Sequence, residues 1–172
     1  MKPGRLIALI FAASLALAGC GGTVTRADSA PAASAPLAGK KTRPATLVVS
    51  PAARAKLADS TAFRWENMVD NINRHLENAG MVGDDAPYTL SVTLTDARVR
   101  SNFASVVGGF LTGEDFLAGT VELRTAQGQP VHTFEVKAEY GGLAGGQEAS
   151  RTIWMYEKFS ELVVDELRGA KK

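Results

Sequence analysis

The feature that most restricts the fold is an alternation of apolar and polar side chains in three stretches. From Tyr88 to Thr95, Leu90, Val92 and Leu94 fall on one side, and Thr89, Ser91, Thr93 and Thr95 on the other. From Gly119 to Thr125, Val121 and Leu123 alternate with Thr120, Glu122 and Arg124. From Phe134 to Tyr140, Phe134, Val136, Ala138 and Tyr140 alternate with Glu135, Lys137 and Glu139. Successive side chains of a strand point to opposite faces. A period of two with one polar side therefore means a sheet covered on one face only. Ala126–Pro130 has the composition of a turn between the second and third stretches.

Two amphipathic stretches supply the cover. Between Ser60 and Ala79, Trp65, Val69, Ile72, Leu76 and Ala79 recur at helical spacing, and Gly80 stands where a left-handed cap is expected. Between Ser150 and Arg168, Tyr156, Phe159, Val163 and Leu167 form a second stripe, helped by Met155 and Leu162. Thr46–Ser50 is a further short β-type run, stopped by Pro51. The expected order is β-α-β-β-β-α. It describes an α+β two-layer sandwich, a four-stranded mixed sheet with two helices on one face. The last three strands form an antiparallel meander, and the first enters through a helical crossover. This domain is expected over residues 44–169.

The chain opens with a positive segment, Met1 to Arg5, followed by an apolar run from Leu6 to Ala18. That is the length of a signal-peptide core and short of the roughly 20 residues of a spanning helix. The run ends in Leu17-Ala18-Gly19-Cys20. These residues resemble the lipobox of bacterial lipoproteins. The resemblance implies a leader at 1–19, a diacylglyceryl group on the Cys20 thiol, cleavage before Cys20, and acylation of the new amine. Gly21 and Gly22 follow, not aspartate, which resembles the class sorted to the outer membrane. The expected place is thus its periplasmic face, held by lipid. Ala16-x-Ala18 also fits an ordinary secretory cleavage site, which would leave a free Cys20 thiol. Cys20 is the only cysteine, so no disulfide within the chain is open to it.

Residues 20–43 hold the lipidated cysteine and a segment rich in Ala, Ser, Pro and Gly. Such a segment buries too little to offset its ordering entropy, and it is expected to be a flexible tether. Without Lys2 and Arg5 the basic side chains number 17 against 18 acidic ones, a net of −1. Near-neutral charge offers no basic stripe for nucleic acid.

The strand ending Val48-Val49-Ser50, the helix ending Leu76-Glu77-Asn78-Ala79-Gly80, the Tyr88–Thr95 strand, the hairpin through Gly128 and the closing helix resemble a group of uncharacterised bacterial lipoproteins. Their domain is similar to the TolB N-terminal domain and to the core of the curli-secretion lipoprotein. The resemblance covers roughly 46–168 and implies support of envelope assembly, or a subunit role in transport or secretion.

No catalytic constellation stands out. His75 and His132 have no second ligand at metal spacing, and no metal or other cofactor is expected. Asp84-Asp85 and Glu114-Asp115 sit beside glycines and suit solvated turns. The glycines of 141–146 precede Gln147-Glu148, not the Lys-Ser/Thr of a phosphate loop. The chain is expected to be no enzyme, with a small-ligand carrier or an enzyme as the lesser alternative. The segment from Phe103 to Leu117 is apolar for a connection. It either covers one end of the core or offers a contact to a second copy, an envelope partner or the membrane. Phe110 and Leu111, flanked by glycines, are its candidate contact residues.

Overall fold

The computed structural model describes residues 20–26, 36–37, 39–101, 113–141 and 146–169. These build five strands and three helices in the order β1 (Gly21–Arg26), β2 (Thr46–Val49), α1 (Pro51–Lys56), α2 (Trp65–Asn78), β3 (Tyr88–Arg98), β4 (Asp115–Thr125), β5 (Pro130–Tyr140) and α3 (Glu148–Arg168). The strands form one mixed sheet, ordered β1-β5-β4-β3-β2. The meander is as expected: β3, β4 and β5 pair antiparallel, and β2 pairs parallel with β3. A parallel pair requires a crossover, and α1 and α2 supply it.

The alternating stretches give the buried face. Leu90, Val92, Leu94, Val121, Leu123, Phe134, Val136 and Ala138 are buried. Across from them lie Met68, Ile72 and Leu76 of α2, and Met155, Tyr156, Phe159, Leu162, Val163 and Leu167 of α3. The α+β two-layer sandwich therefore holds, with one strand and one helix more than expected.

The additional strand is β1. The residues expected to be the start of a tether pair with β5 over six positions, from Gly21↔Glu139 to Arg26↔Phe134. Further along the same segment, Leu37 is buried and donates its N–H to the Leu167 carbonyl at 3.1 Å. Thr42 is buried and bridges to Val82 and Tyr88. The tether expectation is corrected for these residues. Its low apolar content is real, but β1 draws its order from the ladder of β5 and needs little core of its own.

The additional helix is α1. Pro51 does stop β2, and it then opens a helix. Ser50 caps it, accepting from the Ala53 N–H at 3.1 Å, with proline in the first turn where its missing N–H costs nothing.

The stripe on α2 is also rotated from expectation. The helix begins at Trp65, not Ser60, so Trp65 lies at its end, 50 % exposed, beneath the Arg54 guanidinium. Met68 takes the inward place ahead of Ile72 and Leu76. Gly80 does adopt the left-handed conformation, φ 69°, and lets the Met81 N–H close onto the Leu76 carbonyl at 2.9 Å.

All three alternating strands run longer than their alternation. β4 begins at Asp115, so Phe116 and Leu117 belong to the sheet and not to a connection, and Leu117 is fully buried. Among the described residues no helix is long and apolar enough to cross a membrane.

Candidate functional site

Cys20 is exposed and immediately precedes β1. Gly21 pairs with Glu139, so one further step in register sets Cys20 beside Tyr140, where β5 ends. The Tyr140 ring meets Trp154 of α3 edge-on, with centroids 5.4 Å apart. Cys20 thus precedes β1 at the end of the sheet that carries the Tyr140–Trp154 pair. That end also receives the close of β3, the start of β4 and the start of α3.

Three features position β1. Gly22 lies so close to its neighbours that a Cβ there would stand 2.5 Å from Leu162 Cδ1 and 2.7 Å from the Lys137 carbonyl oxygen. Only glycine fits this approach. Val24 packs against the core. Arg26 then donates to Glu166 of α3 through Nε at 2.5 Å and Nη2 at 2.8 Å.

Glu166 is buried and has a second partner, His132 of β5, whose Nε2 lies 2.8 Å from Oε1. The imidazole is itself buried and stacked on Phe134, with centroids 5.1 Å apart. Burial alone pushes the Glu166 carboxyl up. The hydrogen bonds from Arg26 and His132, with their charges, outweigh it and hold the group below the usual carboxylate range. A carboxylate lowered in the folded state contributes stability that is present above its unfolded pKa and lost as pH falls through the folded value. Unfolding followed from pH 6 into the acid range should therefore show a steeper loss of stability than the Glu166→Gln variant does. Parallel curves for the two proteins would contradict the pairing.

The other charged groups seat elements. Asp115, fully buried, takes Arg100 Nε at 2.9 Å on Oδ1 and Arg151 Nε at 2.6 Å on Oδ2. Arg151 also reaches the Arg100 carbonyl at 2.5 Å and the Gly146 carbonyl. This group ties β3, β4 and α3 together at the Cys20 end of the sheet. The pair Glu114-Asp115 suits a solvated turn from its sequence, but Asp115 is buried by the tertiary approach of two arginines, while Glu114 is exposed. Glu148 accepts from Ser60 Oγ at 2.8 Å and from the N–H groups of Thr61 and Ala62 at 3.0 and 3.2 Å, fixing the α1–α2 connection. The Tyr156 hydroxyl accepts from the Arg64 N–H at 2.8 Å and donates to its carbonyl at 3.1 Å. Burial pushes its pKa up to about 12.

His75 bonds Glu157 at 2.7 Å, and His132 bonds Glu166, so the two histidines serve separate carboxylates. Among the described residues no three His, Cys, Asp or Glu side chains gather as metal ligands. Two depressions, of about 170 Å³ over Ala118 and about 200 Å³ beside Leu37, are smaller than the roughly 300–1,000 Å³ of ordinary ligand pockets. Leu17, Ala18, Gly19, Phe110 and Leu111 lie outside the described residues.

The chain matches no known protein family and no curated protein. It is similar to solved structures of the PelC dodecamer from Paraburkholderia phytofirmans. One is 20 % identical, with a TM-score of 0.49, covering 87 % of this chain and 99 % of that one. A point variant of it is 21 % identical, with a TM-score of 0.48 and the same coverage.

Proposed function

We propose that this chain is a lipid-anchored, non-enzymatic component of the bacterial cell envelope, with an accessory or assembly role, held by Cys20 on the periplasmic face of the outer membrane. The observation that carries the proposal is the placement of Cys20. The residue that completes Leu17-Ala18-Gly19-Cys20 is exposed and joined without slack to a strand of the domain. Acyl chains on it enter a bilayer with the Tyr140–Trp154 end facing the headgroups. Tyrosine and tryptophan favour that depth because their rings are apolar and their tips polar. Each buried methylene contributes roughly 0.8 kcal/mol, so two or three chains on one cysteine make a lasting anchor where one would not.

The non-enzymatic part of the proposal rests on how the titratable groups are spent. Asp115, Glu148, Glu157 and Glu166 each hold two elements together, and both histidines are committed to such pairs. The partners in this reading are the bilayer and an envelope protein or a second copy of the chain. Cys20→Ala is expected to abolish metabolic acyl labelling and to move the protein from the membrane to the soluble fraction. An unlabelled wild-type protein would overturn the anchor.

A further inference from the structure

The hollow of about 200 Å³ beside Leu37 lies where α2 and α3 both end. Its border carries Lys40, Lys41 and Arg168 and no acidic residue. Most described lysines and arginines elsewhere pair with a carboxylate. Among the described residues none of these three does. Lys40 is steered instead by Tyr88, with its Nζ 3.1 Å from the hydroxyl and 5.5 Å from the ring centre. The Lys41 stem rests on Gly83, its Cδ 3.2 Å from where a Cβ at Gly83 would stand. Gly39 and Gly80 are both left-handed, with open space where a side chain would be, so neither closes the hollow. Helix dipoles account for part of the charge. The C-terminal end of a helix carries roughly −0.5 elementary charge, so two ends offset about one of the three cations. The remaining charge of about +2 has no counterion among the described residues.

We infer that this hollow binds a phosphate-sized oxyanion, with Lys40, Lys41 and Arg168 as its cationic contacts. A phosphate monoester or inorganic phosphate carries about −1.5 to −2 at neutral pH, which matches the surplus. A carboxylate carries half of that and binds more weakly. Arg168 brings a planar fork suited to two phosphate oxygens, and the lysines act as point charges. The volume suits one such group and not a whole cofactor. Tyr88 pairs with Thr125 and Tyr140 with Asp115, at opposite ends of β4. The 11 residues of β4 therefore set the hollow roughly 30–35 Å from the Cys20 end. A bilayer holding Cys20 is out of its reach, so the phosphate belongs to a soluble molecule. The site needs no acyl group and stands or falls apart from the anchor.

Inorganic phosphate titrated into the isotope-labelled protein, at low salt in uncharged detergent micelles and followed by amide NMR, tests the site. The signals of Gly39, Lys41, Gly80 and Met81 should shift together and saturate at millimolar phosphate or below. Lys41→Gln combined with Arg168→Gln should weaken binding at least about tenfold, and added salt should weaken it in the wild type. Unmoved β3 and β4 signals report that the double variant is folded. Lys158→Gln, which breaks a surface pair elsewhere, should leave the affinity as it was. Acetate in place of phosphate should bind more weakly. The absence of a saturable shift at these four amides in the wild type overturns the proposal. So does an affinity that the folded double variant keeps. Phosphatidylglycerol added to the micelles in place of phosphate separates the sources. Shifts at the same amides with phosphate alone support the soluble ligand, and shifts with the lipid as well support the same chemistry on a headgroup.

Discussion

Asp115→Asn is expected to cost about 3–5 kcal/mol of folding stability, because it breaks a buried ion pair from one side and leaves the other charges in place. Asp115 is inaccessible to solvent, and Arg100 and Arg151 approach separate oxygens of its carboxylate. Asparagine keeps the size and one acceptor but removes the negative charge. Two buried guanidinium groups then face each other without their shared counterion. Asp96→Asn is the comparison. Asp96 pairs with Lys56 at 2.7 Å, but both side chains are about half exposed, and such pairs are worth about 0–1 kcal/mol. Urea unfolding of both variants decides the matter. A loss at Asp115 no larger than that at Asp96 would mean the buried group does not hold the end of the sheet. A typical domain has only about 5–15 kcal/mol of total stability, so the larger loss should also lower yield in cells.

The second large effect lies in the helix-to-sheet core. Leu76 and Val163 are fully buried, one on each long helix. Leu76→Ala is expected to cost about 2–5 kcal/mol, from lost burial and the cavity left behind. Val163→Ala removes fewer atoms and should cost on the order of 1–3 kcal/mol. Thr93 is the control, since it sits on the open face of β3 opposite Thr120. Thr93→Ala should stay within about 0.5 kcal/mol. Thermal or urea melts of the three variants check the order. Equal losses at all three would mean that the polar face of the sheet is itself covered in an assembly.

Much of this fold was legible because its signals are local. The alternation in Tyr88–Thr95 and Phe134–Tyr140 is a direct trace of a sheet with one buried face, and the α3 stripe from Met155 to Leu167 is buried throughout. What was not legible depends on neighbours distant in sequence. β1 carries a single apolar side chain over six residues. Its only local hint is the alternation Thr23-Val24-Thr25, too short to outweigh the glycines before it and the Ala/Ser/Pro run after it. α1 is signalled by Ser50-Pro51, a cap followed by a first-turn proline, but a proline directly after a strand reads equally as a stop. On α2 the stripe has the right period but starts at Met68, because Trp65 opens the helix under the Arg54 guanidinium and stays half exposed. Of the candidate site, the sequence shows Cys20 and its lipobox-like approach. That Cys20 adjoins a strand, and that Arg26, His132 and Glu166 meet, depends on residues up to 140 positions apart.

The anchor on Cys20 is the claim on which the rest of the function depends, and an intact mass of the protein extracted from membranes tests it most directly. The predicted result is a chain that begins at Cys20 and carries the added mass of a diacylglyceryl group and an amide-linked acyl chain. A chain that begins at Gly19, at the unmodified mass of its sequence, would contradict it.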